Sequence, residues 1–323
     1  MRRRDFLPLA AATAMAWNPA LGDVNALRVG FIHPGPRWEN QSLLYAFRDA
    51  LLVSGWTDGT NIAILDRWAE ERIEWFPGIV RELIGSGVSV LVTAGTAATL
   101  AAKRAGAMIP IVLVGVADPV AIGAVASLMQ PRGNITGLAL TSTELIAKRL
   151  QLLRELVPGL HRIAVIVRLD PGLEQKLQNI RGNAERIGIE VLMLEANTGR
   201  ALELAFARLR GERCEAVYVA SGPLGPAKRA TIISLAAEAR LPVIYSFRVF
   251  PVDGGLMSFA ADYDDLFRRA AEFVDKILEG ADPAELPVEE PRKFDLTVNL
   301  KTARDLGLTI PPSILARADE VIE

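Results

Sequence analysis

The chain has 323 residues and a formal net charge of -2, from 36 Lys and Arg against 38 Asp and Glu. This length exceeds that of most single domains, and the 50% hydrophobic content excludes a disordered chain. A charge so close to zero argues against a protein that binds nucleic acid through a basic face. Since Cys214 is the one cysteine and there are two histidines, an internal disulfide and the usual zinc sites are excluded. We therefore expect two soluble lobes, with no metal and no cofactor.

The first 26 residues have the pattern of an export signal. The pair Arg3 and Arg4 precedes a short, weakly apolar run that ends at Trp17. This arrangement is similar to twin-arginine signals, which are read by a receptor and do not anchor the protein. The run is too short for a membrane span of about 20 residues. We predict that residues 1–26 are an export signal and that the mature protein is periplasmic; an amphipathic helix of the fold is the weaker alternative.

From residue 27 onward, short apolar segments alternate with longer amphipathic segments. The predicted strands are 27–32, 61–65, 88–93, 110–114, 137–140, 162–167, 191–194, 216–220, 242–245, 255–260 and 294–299. Several of them are almost entirely apolar, which is typical of parallel strands that are covered on both faces. Strand–helix alternation over this length predicts βαβ units. We therefore predict an α/β fold with two similar, doubly wound parallel-sheet lobes.

The motifs of the common enzyme classes are missing from the sequence. There is no phosphate-binding loop, no Gly-x-Gly-x-x-Gly after the first strand, no Gly-x-Ser-x-Gly and no His-Glu-x-x-His. His161 follows a helix end, where a cation is favourable. His33 ends the first predicted strand, where it either contacts a ligand or is an ordinary loop histidine. No nucleophile is paired with either histidine, so we do not expect an enzyme.

Polar turns follow several predicted strands, at the sheet edge where doubly wound folds bind small molecules. Thr93, Gly95 and Thr96 combine hydroxyls with the backbone N–H groups of a helix start, which favours a carboxylate. The alternative is an ordinary turn in which Thr96 caps the helix. Asp118 can bind an ammonium group or can cap the helix that begins at Pro119.

The matching turns of the second half carry Asp170, Ser221 and Tyr245. Asp170 is the second aspartate that can bind an ammonium group, and Tyr245 or Trp38 can flank an apolar side chain. Together these residues predict a pocket between the lobes for an α-amino acid or a similar small zwitterion. If both aspartates are only helix caps, the expected solute is neutral or anionic.

Five segments carry a resemblance to a known family: 118–137, 148–158, 254–258, 299–303 and 307–320. The last of them reads Gly-Leu-Thr-Ile-Pro-Pro-Ser-Ile-Leu-Ala-Arg-Ala-Asp-Glu and is especially specific. Together they resemble the ABC-transporter substrate-binding proteins of the type whose better-known members bind tryptophan or phenylalanine. This resemblance extends over essentially the whole chain.

The resemblance implies a type I periplasmic binding protein fold, in which three crossing segments join two lobes. Here the crossings are expected near Leu140, Val252 and Phe294. The lobe bounds that follow are 27–140 and 253–293 for the first lobe, and 141–252 and 294–323 for the second. The pocket that the resemblance implies would include the turn from Thr93 to Thr96, Asp118 and the turns at Asp170, Ser221 and Tyr245.

The function that the resemblance implies is an extracytoplasmic receptor that passes a small solute to an ABC permease in the cytoplasmic membrane. We expect it to be a monomer that binds no nucleic acid. A receptor for a sensor protein is one alternative. The ligand core of a repressor is another, disfavoured because signal-like residues stand where a DNA-binding domain would.

Three segments near the expected pocket depart from the usual pattern of the family. The first strand is followed by His33-Pro34-Gly35-Pro36 where a Ser/Gly turn is usual. Arg168-Leu169-Asp170 stands in place of an Asn-Pro-Asn-like turn, and Phe259-Ala260 in place of Tyr-Gly. The family's aromatic amino-acid ligands therefore do not transfer directly to this chain.

The export prediction is tested by replacing Arg3 and Arg4 with lysine. We expect unprocessed precursor to accumulate in the cytoplasm, because the twin-arginine receptor reads the paired arginines. Immunoblots of cytoplasmic and periplasmic fractions measure this. Normal export of the double variant would show that the general secretory route suffices.

Overall fold

The computed structural model describes residues 27–140, 143–167, 173–209, 211–220 and 228–323. The predicted export signal at residues 1–26 lies outside this part of the chain. Of the predicted site residues, Asp170 and Ser221 also lie outside it. Across the described ranges, no helix is long and apolar enough to span a membrane.

Strands and helices alternate along the described chain. The strands are β1 (Leu27–His33), β2 (Ile62–Trp68), β3 (Val90–Ala94), β4 (Ile111–Val116), β5 (Ile135–Ala139), β6 (Arg162–Val167), β7 (Glu190–Glu195), β8 (Ala216–Val219), β9 (Val243–Tyr245), β10 (Met257–Ala261), β11 (Phe294–Asn299) and β12 (Glu320–Ile322). The helices are α1 (Arg37–Val53), α2 (Phe76–Gly85), α3 (Gly95–Arg104), α4 (Thr143–Leu156), α5 (Leu173–Arg186), α6 (Gly199–Leu209), α7 (Arg229–Ala239), α8 (Val249–Val252), α9 (Tyr263–Leu278), α10 (Leu300–Asp305) and α11 (Pro312–Leu315). Each predicted strand overlaps an observed one, and β12 is an additional strand.

The first lobe contains a parallel five-stranded sheet in the order β2-β1-β3-β4-β5. Successive side chains of β4 enter opposite cores: Val112 and Val114 pack with α1 and α9 on one face. Ile111 and Leu113 pack on the other face with the side chains of α2 and α3. Because both faces are covered, the central strands β3 and β4 are apolar at nearly every position, as the sequence pattern predicts.

The second lobe contains a seven-stranded sheet in the order β12-β11-β10-β9-β8-β6-β7. Its strands pair in parallel except at the β10–β11 ladder, which is antiparallel. One face packs against α4, with Val165 and Ile244 in that core, and the other face packs against α6 and α7. The prediction of an α/β fold with two parallel-sheet lobes is confirmed.

The middle crossing between the lobes differs from the prediction. We expected it near Val252, with residues 253–293 in the first lobe. Strand β10 instead pairs with both β9 and β11 of the second sheet, so the chain crosses at Ala261 and Asp262. The reason is that β10 forms hydrogen-bonded ladders on both of its edges, which hold it in the second lobe. We therefore propose lobe bounds of 27–140 with 262–293, and 143–261 with 294–323.

Gly137 of β5 provides a test of the packing between β4 and β5. It has a φ of +130°, and a Cβ atom there would overlap the backbone carbonyl of Leu113. We expect Gly137→Ala to destabilise the chain by about 3 kcal/mol, since overpacking and backbone strain add. Urea unfolding measures the change. Gly133→Ala is the matched control, because a Cβ atom at Gly133 meets nothing within 4 Å; equal stability of the two variants would contradict the packing argument.

Candidate functional site

A small cavity of about 20 Å³, room for about one water molecule, lies where the crossing segments join the lobes. It is lined by Leu140, Leu145, Arg149, Ser246, Phe247, Ala261 and Tyr263. Leu140 and Tyr263 belong to the first lobe, and the other residues belong to the second lobe or to the end of β10. The cavity is therefore built from both lobes, at the carboxyl ends of β5, β9 and β10, which is where doubly wound sheets bind ligands.

Local sequence places the lining residues at this edge. Ser246 and Phe247 follow the last residue of β9, so they reach the carboxyl edge of the second sheet. Asp262 caps α9 by accepting the Asp265 N–H at 2.9 Å, which places Tyr263 at the first position of that helix. Gly115, with φ at +71°, has no side chain to compete with the Tyr263 ring.

Two aromatic side chains from opposite lobes meet at the cavity. The rings of Phe247 and Tyr263 have centroids 6.0 Å apart and are tilted by 40°. Burial raises the pKa of the Tyr263 hydroxyl, and the positive charge of Arg149 acts in the opposite direction. The hydroxyl is therefore neutral near pH 7 and can donate a hydrogen bond. Together these rings give the cavity an apolar side.

The polar side of the cavity is formed by Arg149 and Ser246. Arg149 is 5% exposed; its Nε donates to the Phe259 carbonyl at 2.7 Å and its Nη1 to the Tyr218 hydroxyl at 3.0 Å. Ser246 is equally buried and its hydroxyl donates to the Val219 carbonyl at 3.2 Å. The Ser246 oxygen keeps lone pairs that can accept from a ligand N–H.

An ion pair joins the two lobes through the first turns of α1 and α7. Arg229 Nη2 lies 2.8 Å from Glu39 Oε1, and Nη1 lies 3.2 Å from Oε2, so the contact is bidentate. Arg229 also pairs with Asp253 of its own lobe. The carboxylates of Glu39 and Asp253 raise the pKa of the guanidinium. Both partners of the inter-lobe pair are about three-quarters buried.

Three predicted site residues lie where β3 passes into α3. Gly95 and Thr96 are half-buried at the start of α3. Thr93 is fully buried, and its hydroxyl lies 2.9 Å from the Thr99 hydroxyl. That hydroxyl in turn donates to the Gly95 carbonyl. The side chain of Thr93 is therefore turned into the lobe, where it holds the turn together, and its contact with a ligand stays a prediction.

His33 is also a core residue. It is 7% exposed, and its ring lies 5.2 Å from the Trp68 ring and 6.2 Å from the Phe267 ring. Its Nδ1 accepts the Gly35 N–H at 3.1 Å. Burial lowers the pKa of the imidazole to about 4. The neutral ring stabilises the end of β1, and a ligand contact for His33 stays a prediction.

Trp38 and Asp118 lie on the surface of the first lobe. Trp38 is 72% exposed on α1, one residue before Glu39 of the inter-lobe ion pair. Asp118 is half-buried and accepts the Ala121 N–H at 2.9 Å, but residues 119–123 form turns and not the helix that the capping alternative requires. Neither side chain lines the cavity.

Tyr245, the predicted pocket residue of the turn after β9, packs inside the second lobe. It is 1% exposed and stacks on Phe250, with ring centroids 4.3 Å apart and planes 9° from parallel. Burial raises the pKa of its hydroxyl. The predicted turn reaches the cavity through Phe247, two residues later, because Tyr245 still belongs to β9 and packs inside the lobe.

Sequence reasoning missed Arg149, Phe247 and Tyr263. The sequence does contain a feature that could have identified Arg149. It is the one cation on a face of α4 that otherwise carries leucines, namely Leu145, Leu152, Leu153 and Leu156. For Phe247 and Tyr263 the signal is weaker: each is an aromatic residue just beyond a predicted strand. No group of three or more His, Cys, Asp or Glu side chains suitable for a metal ion occurs among the residues that the structure describes.

Comparisons with known proteins agree with this architecture. Residues 41–322 match the model of a family described as ABC transporter substrate binding protein. The chain is 28% identical over 265 residues to a tyrosine-binding protein of Clostridioides difficile (strain R20291), which covers 81% of this chain and 75% of that protein. These matches concern most of the chain.

Solved structures resemble the fold as a whole. A conserved domain protein from Vibrio cholerae matches with a TM-score of 0.84 at 26% identity, covering 92% of this chain and 99% of that one. The ABC domain in complex with L-Trp from Streptococcus pneumonia matches with a TM-score of 0.84 at 21% identity, covering 92% and 100%. These likenesses confirm the predicted type I periplasmic binding protein fold.

The burial of His33 predicts a pH dependence of stability. The unfolded chain binds a proton at His33 below about pH 6.5, whereas the folded chain binds it near pH 4. The stability that His33 contributes is therefore present above pH 6.5 and is lost as the pH falls through this window, by about 3 kcal/mol in total.

We expect His33→Gln to flatten the pH dependence of the free energy of unfolding between pH 6.5 and about 4. Urea unfolding of both proteins across this window measures the difference. His161→Gln is the control, because His161 is exposed and should leave the wild-type slope unchanged. A wild-type slope in the His33 variant would contradict the burial argument.

Proposed function

The chain belongs to the family of ABC transporter substrate-binding proteins, and from this premise we propose that it captures an amino acid with an apolar side chain between its lobes. We propose further that it is the periplasmic receptor of an importer, exported by its twin-arginine signal, and passes the solute to an ABC permease. It acts as a monomeric, non-catalytic binding protein. The name of the Clostridioides difficile relative supports an amino-acid ligand.

The observation that carries the proposal is the composition of the inter-lobe cavity. Phe247 and Tyr263 come from opposite lobes and form an apolar side, while Arg149 and Ser246 form a polar side. Sites for small molecules combine apolar surface with a few oriented polar groups in this way. An amino acid with an apolar or aromatic side chain matches this arrangement, because it has one apolar end and one end with charged amino and carboxylate groups.

Other predicted residues remain proposed parts of the binding cleft. Gly95 and Thr96 present the start of α3 to the cleft, and a helix start favours an anionic or polar ligand group. Asp170 and Ser221 are proposed to contribute from the second lobe. In the present conformation the cavity is too small for a whole amino acid, so we propose that the solute extends beyond it toward these turns.

Closure of the lobes is the second part of the proposal. A solute favours the closed form only to the extent that it binds that form better than the open one. The bidentate pair of Arg229 with Glu39 connects the lobes and is available only when they are together. It therefore stabilises the closed form and lowers the free energy that solute binding must supply.

A thermal-shift screen tests the proposed ligand class. We expect L-tryptophan, L-tyrosine or L-phenylalanine to raise the melting temperature, since a ligand that binds the folded state alone stabilises it, by about 2.7 kcal/mol at one hundred times Kd. Glycine and a monosaccharide are the comparison solutes. An effect confined to the monosaccharide, or no effect of any amino acid, would contradict the proposal.

For closure, small-angle scattering of the Glu39→Gln variant should show a larger radius of gyration without solute than the wild type. Its affinity for the solute found in the screen should be weaker by a factor of about five, the equivalent of about 1 kcal/mol. Glu203→Gln is the matched control, because it removes an ion pair within α6, with Arg200 at 2.9 Å. Identical behaviour of the two variants would exclude a role of Glu39 in closure.

A further inference from the structure

Arg149 is a buried cation whose charge no carboxylate balances within the described part of the chain. It is 5% exposed, on the face of α4 that packs into the second lobe. Its two hydrogen-bond partners among the described residues, the Phe259 carbonyl and the Tyr218 hydroxyl, are both neutral. Removing a guanidinium from water is costly unless a charge or a full set of acceptors replaces the water.

Arg269 of the first lobe shows what an equally buried arginine normally has. At 6% exposure, it donates to Glu289 and lies 4.0 Å from Asp265. Arg149 has no counterpart of either carboxylate among the described residues. Among the described residues the guanidinium of Arg149 therefore lacks the carboxylate that Arg269 has, and a bound solute can supply one.

The donor count leads to the same conclusion. A guanidinium has five N–H groups, and Arg149 uses one on Nε and one on Nη1 for the two bonds above. The other three N–H groups have no acceptor among the residues that the structure describes. They belong to a side chain that lines the inter-lobe cavity.

From this geometry we infer that Arg149 is the binding site for a carboxylate group of the solute. The inference rests on the proposed function, and it names the chemical group of the solute that the cavity binds. The guanidinium fork matches the two oxygens of a carboxylate, and charge-assisted bonds of this kind are the strong ones. Phe259 and Tyr218 fix the guanidinium beforehand, so little side-chain freedom is lost on binding.

This assignment orients the solute. The carboxylate lies on Arg149, the Ser246 oxygen can accept from an amino group, and the apolar side chain extends along Phe247 and Tyr263. It also transfers the carboxylate from the start of α3, where the sequence placed it, to the second lobe. If the carboxylate binds at Arg149, affinity for it depends on that side chain; if it binds at the start of α3, it does not. An experiment on Arg149 variants therefore distinguishes the two sites.

The test compares acids with their neutral analogues by isothermal titration. The probes are L-tryptophan, L-tryptophanamide and indole-3-acetate, with L-tyrosine, L-tyrosinamide and 4-hydroxyphenylacetate as a second set. We expect the wild type to bind the better amino acid at least about tenfold more tightly than its amide. Arg149→Met should abolish this preference, and Arg149→Lys should retain part of it.

Two controls separate binding from folding. Arg154→Met changes an exposed arginine of the same helix, which donates to the Ile187 carbonyl at 3.1 Å, and should keep the wild-type preference. The amide should bind to Arg149→Met with wild-type affinity if that variant keeps its fold. If Arg149→Met does not fold, the comparison of acid with amide in the wild type and in Arg149→Lys decides.

Each outcome supports or overturns the assignment. If the wild type binds amino acid and amide equally, or if Arg149→Met keeps the preference for the acid, the carboxylate site is wrong while the amino-acid receptor stands. If the indole or phenol acids bind in an Arg149-dependent manner and the amino acids do not, the site stands and the proposed ligand class fails. If none of the six probes binds, both are overturned.

Discussion

Strand β10 passes into helix α9 with Asp262 as the single residue between them. The two elements lie in the central parts of different lobes, since β10 pairs on both edges in the second sheet and α9 packs against α1 and β4 in the first. The Asp262 N–H also donates to the Lys293 carbonyl at 3.0 Å, which ties this crossing to the next one. The lobes are therefore held together closely at one end, and movement between them is limited to rotation about that end.

This constraint decides which groups can change during closure. Arg149, Phe247 and Tyr263 lie beside the crossings, so they stay near one another while the lobes rotate. Glu39 and Arg229 lie at the starts of α1 and α7 and are joined through no crossing segment, so their contact depends on closure. The crossing end thus presents a preformed site, and the ion pair contributes a difference in free energy between the two forms.

The fold could be predicted in detail because its signals are local. Strands β3 and β6 are apolar except at Thr93 and Arg162, and the helices between strands have clear apolar faces. The middle crossing could not be assigned correctly, because residues 255–260 have the apolar pattern of any strand and nothing local says which sheet pairs with them. That choice depends on hydrogen bonds to β9 and β11, which are distant in sequence.

The sequence predicts which turns lie near the cavity, but it does not predict which side chains of those turns line it. The turn after β9 is part of the cavity, yet Phe247 faces it while Tyr245 stacks on Phe250 inside the lobe. Thr93 likewise ends the right strand and turns its hydroxyl toward Thr99. Whether a residue at a strand end belongs to the core or to the cleft depends on the last ladder hydrogen bond, which a single sequence does not reveal. In the sequence Arg149 is one position on an amphipathic helix face, and the lack of a nearby carboxylate becomes visible only in the structure.

The central claim is that the solute is bound beside the crossings, with its charged end in the second lobe. A crystal structure of the protein with the amino acid that stabilises it most tests this directly. The account predicts closed lobes, a carboxylate within hydrogen-bond distance of the Arg149 guanidinium and an apolar side chain against Phe247 and Tyr263. A ligand whose carboxylate lies on the start of α3, or one bound away from this cavity, would contradict it.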